Sequence, residues 1–518
     1  MILLEALHVK HYVKDRLLLD VDQLRIHQRD RIGLVGRNGC GKTTLLNIFA
    51  EKMVPEEGTV IQRTQCKLLP QLKRTDTTKS GGEVTQEYIQ KALVSNPELL
   101  LADEPTTNLD TDHIEWLERK LSEWQGAFVI VSHDRTFLDM LCTTIWEISE
   151  SKIKVYQGNY SDYAAQKEIE RREQQSAYES YEKKKQQLEE ALKLKERKAQ
   201  RATKKPKNLS SSEARIKDLS KKQKKLYETA NAIETRLEKL EKVEKVKELQ
   251  PLRMNLPNAE TFKNRTILRA EDVSGRVGER ILWRKTSFLV RGGDKLAIIG
   301  PNGSGKTTLI KKVINQEVGI MASPSMKIGY FSQNLNILDQ EKSIIENVRA
   351  TSKQDETLMR TVLARMHFFK DDVSKRVRVL SGGERVKVAL SKVFLSDMNT
   401  LILDEPTNYL DMEAVGALES LLKEYEGSVL FVSHDRRFIE NIATRILEIR
   451  NQTIRVFEGT YRQWKHDKPK KSHDDEKEKR LLLETKITEV LSRLSIEPSE
   501  ELEQEFQRLL KEKKKNGQ

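Results

Sequence analysis

The sequence predicts an α/β protein in which two parallel-sheet domains of one design are joined by a long antiparallel α-helical coiled-coil arm. Three observations carry that expectation. A glycine-rich run, Gly36-Arg37-Asn38-Gly39-Cys40-Gly41-Lys42-Thr43-Thr44, returns almost unchanged as Gly300-Pro301-Asn302-Gly303-Ser304-Gly305-Lys306-Thr307-Thr308. The same apolar runs and short polar pieces then follow each copy in the same order, the sign of a duplicated whole domain. Between the copies, apolar residues recur at steps of three, four or seven in a highly charged background, the pattern of paired helices.

Residues 1–160 are expected to form the first domain. Met1-Ile2-Leu3-Leu4-Glu5-Ala6 has no basic segment and reads as an opening strand, not as a signal peptide. Ile32 to Val35 is strand-like and Leu45 to Ala50 helix-like, so the glycine run between them sits in the strand, loop, helix setting of a P-loop. The glycines let successive backbone N–H groups turn inward around phosphates, and the helix N-terminus adds the positive end of its dipole. Gly36, Asn38, Gly39, Gly41 and Thr44 make the cradle, Lys42 reaches the β/γ-phosphates and Thr43 is placed to ligate Mg²⁺. After the cradle come Leu68-Leu69-Pro70-Gln71, Ser80-Gly81-Gly82-Glu83, the leucine-rich run ending in Asp103-Glu104, and Phe128-Val129-Ile130-Val131-Ser132-His133-Asp134.

Residues 261–465 repeat this order. Leu296 to Ile299 and Leu309 to Ile314 flank the second cradle of Gly300, Asn302, Gly303, Gly305, Lys306, Thr307 and Thr308. Phe331-Ser332-Gln333, Ser381-Gly382-Gly383-Glu384, Leu401-Ile402-Leu403-Asp404-Glu405 and Leu430-Phe431-Val432-Ser433-His434-Asp435 follow. Apolar runs alternating with helical patterns imply parallel sheets in both units, two P-loop NTPase domains that would bind ATP with Mg²⁺.

Residues 161–260 are read as the arm. Ile216, Leu219, Leu226, Ala230, Ile233, Leu237 and Leu240 trace a seam on one helix, and Tyr178, Tyr181, Leu188 and Leu192 mark its partner. Lys204-Lys205-Pro206-Lys207-Asn208-Leu209-Ser210-Ser211-Ser212 breaks the pattern, with proline stopping one helix and serines capping the next. From Lys193 to Lys225 there are 14 Lys or Arg against Glu196, Glu213 and Asp218. Charge gathered at the break, around Lys204, Lys205, Lys207, Asn208 and Leu209, favours contact with nucleic-acid phosphates over a plain solvated face. Residues 466–518 form a charged helical extension, suited to touching RNA.

The strand ends carry the chemistry. A buried strand closing on an acidic pair puts Asp103 and Asp404 where they can hold Mg²⁺ through water, and Glu104 and Glu405 where they can polarise the attacking water. Gln71 and Gln333 can orient water and metal, and His133 and His434 can contact the γ-phosphate. Each piece alone has a bland reading, as a strand end meeting solvent or a structural histidine. Their recurrence in one order after two P-loops makes the chemical reading the better one.

Composition bounds the rest. A chain of 518 residues exceeds a single core, 37% hydrophobic residues suit globular domains, and no apolar run approaches membrane-spanning length. Cys40, Cys66 and Cys142 are odd in number and widely spaced, so free thiols in a reducing cytoplasm are expected. A formal net charge of +13 points to a polyanionic partner.

With these motifs in order in both halves, and with Asn108-Leu109-Asp110 and Asn408-Tyr409-Leu410-Asp411 after the acidic pairs, the chain resembles the ATP-binding cassette (ABC) ATPases. The resemblance implies two ABC-type domains facing head to tail, with two ATP sites formed within a functional monomer. Ser80, Gly81 and Gly82 would cap the nucleotide on Lys306, and Ser381, Gly382 and Gly383 the one on Lys42. Tyr12 is the candidate for stacking on adenine in the first half. Only nine positions separate Gln71 from Ser80, against 48 from Gln333 to Ser381, so the helical subdomain that docks membrane subunits in transporters is nearly missing from the first half. Twin cassettes, a charged helical linker and no membrane segment are similar to the ABC-F translation ATPases, and the reduced first subdomain with a long arm to their antibiotic-resistance branch. That resemblance implies an ATPase that enters the tRNA exit site of the bacterial ribosome. Its arm would reach peptidyl-tRNA and the 23S rRNA of the peptidyl-transferase centre and displace lincosamides, pleuromutilins or streptogramin A. A housekeeping ABC-F factor is the near alternative. An exporter subunit is opposed by the covalent arm, and a DNA-acting SMC-like ATPase by the arm's position between two complete cassettes.

Overall fold

The computed structural model describes residues 1–70, 81–95, 97–107, 109–202, 213–243, 265–332 and 335–467. The first half runs β1 (Ile2–Val13), β2 (Arg16–His27), β3 (Arg31–Gly36), α1 (Lys42–Phe49), β4 (Glu57–Gln62), β5 (Cys66–Leu69) and α2 (Gly81–Val94). It continues with β6 (Leu99–Asp103), α3 (Thr111–Ser122), β7 (Ala127–Val131), α4 (Arg135–Leu141), β8 (Thr144–Ser149) and β9 (Lys152–Gln157). Two long helices, α5 (Tyr160–Ala202) and α6 (Glu213–Glu238), lead to the second half. There the order is β10 (Thr266–Val277), β11 (Arg280–Arg291), β12 (Lys295–Ile299), α7 (Lys306–Ile314), β13 (Ile320–Ala322), β14 (Ile328–Phe331), α8 (Ile344–Arg349) and α9 (Glu356–Arg365). It ends with α10 (Gly382–Leu395), β15 (Thr400–Asp404), α11 (Met412–Glu424), β16 (Ser428–Val432), α12 (Arg436–Ile442), β17 (Arg445–Arg450), β18 (Thr453–Glu458) and α13 (Tyr461–Asp467).

Each half holds a six-stranded sheet, ordered β5-β6-β7-β3-β8-β9 in the first and β14-β15-β16-β12-β17-β18 in the second. All neighbours are parallel except β8 with β9 and β17 with β18. The exceptions depart from the all-parallel expectation for a local reason. Glu150-Ser151 and Asn451-Gln452 connect these pairs with positive φ at both residues, the two-residue turn that can only return a strand antiparallel. The central strands β6, β7, β15 and β16 are buried along all five residues, because one face packs on helices and the other on α1 or α7 with the antiparallel sheet, and a solvated face would demand alternation. A three-stranded antiparallel sheet, β2-β1-β4 or β11-β10-β13, packs beside each.

What positions the site is the strand order. In the first half β7 lies between β3 and β6, so the loop after β3, the acidic end of β6 and the residues after β7 converge at neighbouring carboxyl ends. The second half repeats this with β12, β16 and β15. Among the described residues, only the second half shows helices between its β14 and the helix that opens on Gly-Gly, α10, with capping boxes of Ser343 with Glu346 and Ser381 with Glu384 starting α8 and α10.

Helices α5 and α6 pack on each other. Tyr178, Tyr181, Leu188 and Leu192 are half-buried on α5, as are Leu226, Ile233 and Leu237 around buried Ala230 on α6 and Leu240 just past its end. A tighter contact stands in β10, where a Cβ on Gly275 would lie 2.4 Å from ring carbons of the fully buried Trp283. Gly275→Ala should therefore lower thermal stability by about 1–3 kcal/mol through overpacking. An unchanged melting temperature would show that β10 and the indole give way freely.

Candidate active site between the halves

The two glycine loops turn into α1 and α7 through Gly41 and Gly305, whose φ values of +106° and +100° a side chain rarely adopts. A Cβ on Gly305 would also meet the Trp283 ring at 2.4 Å. The Lys42 ammonium donates to the carbonyls of Gly36 (2.7 Å) and Arg37 (3.0 Å), and Lys306 does the same with Gly300 (2.8 Å) and Pro301 (3.1 Å). Both lysines are thus folded over their own loops. Thr43 Oγ1 donates to Asp103 Oδ2 at 2.7 Å and Thr307 Oγ1 to Asp404 Oδ2 at 3.1 Å, bringing each hydroxyl and carboxylate together.

Beyond each aspartate the backbone of Glu104 and Glu405 is left-handed, with φ +52° and +50°, a conformation that costs about 1–3 kcal/mol outside glycine. The strain is held in place by β-ladder-like bonds, Glu104 N–H to Val131 O (2.9 Å) and Glu405 N–H to Val432 O (3.0 Å). Burial pushes the Glu104 carboxyl up to about 8, against the pull of Lys42 and with help from the Asp103 charge. Glu405 is raised to about 7 by burial, opposed by Lys306. Burial also drops His133 and His434 to about 3, with Lys42 and Lys306 adding to the effect. His133 Nε2 lies 3.3 Å from Glu104 Oε1, and His434 Nε2 lies 3.2 Å from Glu405 Oε1. Near neutral pH His133 and Glu104 therefore meet as uncharged groups and not as an ion pair. Glu104 Oε1 is buried without a hydrogen-bond partner among the described residues.

The halves meet across these loops. Asn38 N–H points to Asp411 Oδ2 at 3.4 Å, Asn38 Nδ2 donates to Tyr409 O at 3.0 Å, and Asn302 N–H donates to Asp110 Oδ2 at 2.9 Å. A Cβ on Gly383 would stand 3.2 Å from Asn38 Nδ2, so the glycines at the start of α10 face the first P-loop. A cleft of about 2110 Å³ runs between the halves. Its walls include Gly36 to Thr44, Asp103, Glu104 and His133 from one side, with Ser381, Gly383, Asn302, Gly303, Glu405 and His434 from the other.

Tyr12 is not brought into this cleft. It is 36% exposed on β1, where a register shift between His11 and Tyr12 interrupts the alternation, and Val13, Arg16 and Leu18 stand in the cleft wall instead. Gln71, Gln333, Ser80, Asn108, Lys204, Lys205, Lys207, Asn208, Leu209 and the extension after 467 lie outside the described residues. Gly81 and Gly82 open α2. Four interface residues were not anticipated from the sequence: Arg135 donates to Glu419 (3.2 and 3.3 Å), and Arg436 donates to Glu118 (3.1 Å from Nη1). Laying one half over the other would have found them. Arg135 and Arg436 each follow Ser-His-Asp, and Glu118 and Glu419 stand at matching places after Asp110 and Asp411.

The geometry has counterparts among known proteins. A family model described as ABC transporter matches residues 19–77 and 283–408. The ribosome protection protein VmlR of Bacillus subtilis (strain 168) is 32% identical over 545 residues, covering 97% of this chain and 96% of its own. The erythromycin resistance ATP-binding protein MsrA of Staphylococcus epidermidis is 33% identical, covering 86% and 97%. Among solved structures, one titled RNase-L Inhibitor aligns at TM-score 0.58 and 17% identity over 88% of this chain and 91% of its own. A complex of archaeal ribosomal stalk protein aP1 with the archaeal ribosome recycling factor aABCE1 aligns at TM-score 0.59 and 18% identity, over 88% and 90%. At such identities these two speak for the fold alone.

Proposed function

The chain belongs to the ABC-F family of ATP-binding cassette ATPases and has relatives in its antibiotic-resistance branch, and from that premise we propose that it is a ribosome-protection ATPase of the cytoplasm. In this reading it enters the tRNA exit site of the bacterial ribosome with ATP bound. Its arm then reaches peptidyl-tRNA and 23S rRNA and displaces lincosamide, pleuromutilin or streptogramin A drugs from the peptidyl-transferase centre. The observation that carries the proposal is the likeness to VmlR along 97% of the chain, arm included. A protein named for ribosome protection is similar to this one throughout, not only in its cassettes. Among the described residues no helix is long and apolar enough to cross a membrane.

The hydroxyl and carboxylate pairs fit Mg²⁺: Thr43 with Asp103, and Thr307 with Asp404, are the hard oxygen donors this ion takes. Mg²⁺ bound there would neutralise charge on the phosphates. The chain's own residues do the rest. Backbone N–H groups of the two glycine loops hold the phosphates, and Lys42 and Lys306 exchange loop carbonyls for phosphate oxygens. Ser381 to Gly383 close over the first site, and Ser80 to Gly82 over the second. Glu104 and Glu405 accept the proton of the attacking water once ionised, while His133 and His434 serve as neutral partners of the γ-phosphate.

Co-sedimentation tests the reading. The protein should pellet with ribosomes in a non-hydrolysable ATP analogue and stay in the supernatant with ADP; equal partition in both would overturn it. MsrA is named for erythromycin, so susceptibility of a sensitive host should be scored for that drug beside the three proposed classes. Full susceptibility to all of them, with ribosome binding intact, would favour a housekeeping ABC-F factor.

A further inference from the structure

The two switch loops, each Ser-His-Asp-Arg, meet where the halves touch, and their charged residues serve no role in the cradle or in proton transfer. Asp134 Oδ1 caps α4 by accepting from Phe137 N–H at 2.9 Å. Its other oxygen, Oδ2, is buried, has no hydrogen-bond partner among the described residues, and lies 3.7 Å from Arg436 Nη2 of the opposite half. Arg436 in turn holds Glu118 with both terminal nitrogens. One side chain thus ties α3 to the residue directly after His133. On the mirror side Arg135 donates to Glu419 and, through Nη2, to Met412 O at 2.8 Å. Glu419 is held further by Asn441 Nδ2 at 3.1 Å. All four side chains of the two ion pairs are about nine-tenths buried, from 6% to 11% exposed.

We infer that Arg436 is a positioning residue: it acts as a strut that fixes His133, the switch histidine of the other half's ATP site, once the halves have closed, with Arg135 its weaker counterpart on the mirror side. The chemistry explains why the strut works only on closure. Each guanidinium finds its carboxylate on the other half, so parting the halves returns four charged groups to water. Bringing them together buries charges that are tolerated only when paired. The path from one histidine to the other is short. It runs from His133 through Asp134 to Arg436, and Arg436 is two residues from His434. A displacement of one switch loop therefore reaches the other through a single ion contact. The two struts are unequal. Arg436 touches Asp134 within 4 Å, whereas among the described residues Arg135 makes no such contact with Asp435 and ends on a main-chain carbonyl. The site of Lys42, Glu104 and His133 is the one more tightly governed from the opposite half.

Enzymes restricted to one site test this. With Glu405→Gln only the first site turns over, and with Glu104→Gln only the second. Adding Arg436→Ala should lower kcat of the first-site enzyme about tenfold with KM for ATP nearly unchanged, the signature of a loss felt in the transition state and not in binding. The second-site enzyme should lose much less, and Arg436→Lys should restore most of the first-site rate. Equal losses at both sites, or a loss confined to KM, would reduce Arg436 to an interface brace and overturn the inference. Thermal melts and scattering in an ATP analogue separate misfolding or failure to close from a positioning defect. Should a one-site enzyme prove silent, the cycle of Arg436→Ala with Glu118→Gln in the two-site chain decides. Non-additive losses in kcat are expected there, and additive ones would refute the strut.

Discussion

The chain carrying Glu104→Gln and Glu405→Gln together should bind ATP as the parent does and lose at least about a hundredfold in turnover, the scale of removing a general base. Glutamine keeps the volume, the left-handed backbone and the contact with His133 or His434, but it cannot take a proton from water. The cradle of glycine N–H groups, Lys42 and Lys306 is untouched, so ATP accumulates on a closed chain. If the arm engages only in that state, the variant should remain on ribosomes and block translation. Turnover at the parental rate would remove both glutamates from the mechanism.

The same variant carries a stability signature. Burial raises Glu104 to about 8 and Glu405 to about 7, well above an unfolded glutamate. Stability tied to the protonated carboxyls is full below the unfolded value near 4.5 and is lost as pH rises through about 7 to 8. The loss follows the usual linkage of about 1.4 kcal/mol for each pH unit between the unfolded and folded values of one group. Glutamine is neutral throughout and escapes that loss. Nucleotide-free double variant and parent should therefore melt alike at about pH 5, and the variant should melt higher at about pH 9. A gap that does not widen between those values would mean that the carboxyls are not held protonated by the fold.

The parts of the site written in local sequence were legible in it. Two nine-residue glycine runs, leucine strands closing on Asp-Glu and valine strands closing on Ser-His-Asp each place their polar residues by strand periodicity and strand end. A sheet that sets β7 between β3 and β6 then brings them together. The antiparallel edges were also encoded locally, in Glu150-Ser151 and Asn451-Gln452, but two-residue turns without glycine are easily passed over. Arg135 and Arg436 belong to another class. Their partners are 284 and 318 residues away, and no spacing along a helix or strand announces a contact made between two domains. Tyr12 went the other way. Its position before the P-loop suggested a stacking ring, whereas the cleft wall holds its neighbour Val13.

Replacing residues 206–211 by a short Gly-Ser turn should abolish drug protection in cells while ATP hydrolysis by the isolated protein stays close to the parental rate. The run 203–212 joins the ends of α5 and α6, and α5 spans 43 residues, roughly 65 Å at 1.5 Å per residue, from Tyr160 beside the cassettes. Glu104, His133, Asn38 and Gly383 all lie at the near end of that length, so the motor closes through residues the change does not reach. The run itself, with Pro206, three serines and Leu209 as its one large apolar side chain, has nothing from which to build a core. On the proposed function, contact is its work. Lys204, Lys205 and Lys207 would meet backbone phosphates, so replacing all three by alanine should weaken ribosome binding and flatten its dependence on salt. The slope should fall by about 0.9 for each duplex phosphate that is no longer neutralised, and by about 0.7 for each single-strand one. Reduced binding with protection retained would leave the lysines as tethers and assign displacement to the rest of the loop. Full resistance from the chain with the Gly-Ser turn would sink the tip as the working end and leave the arm a charged spacer between two cassettes.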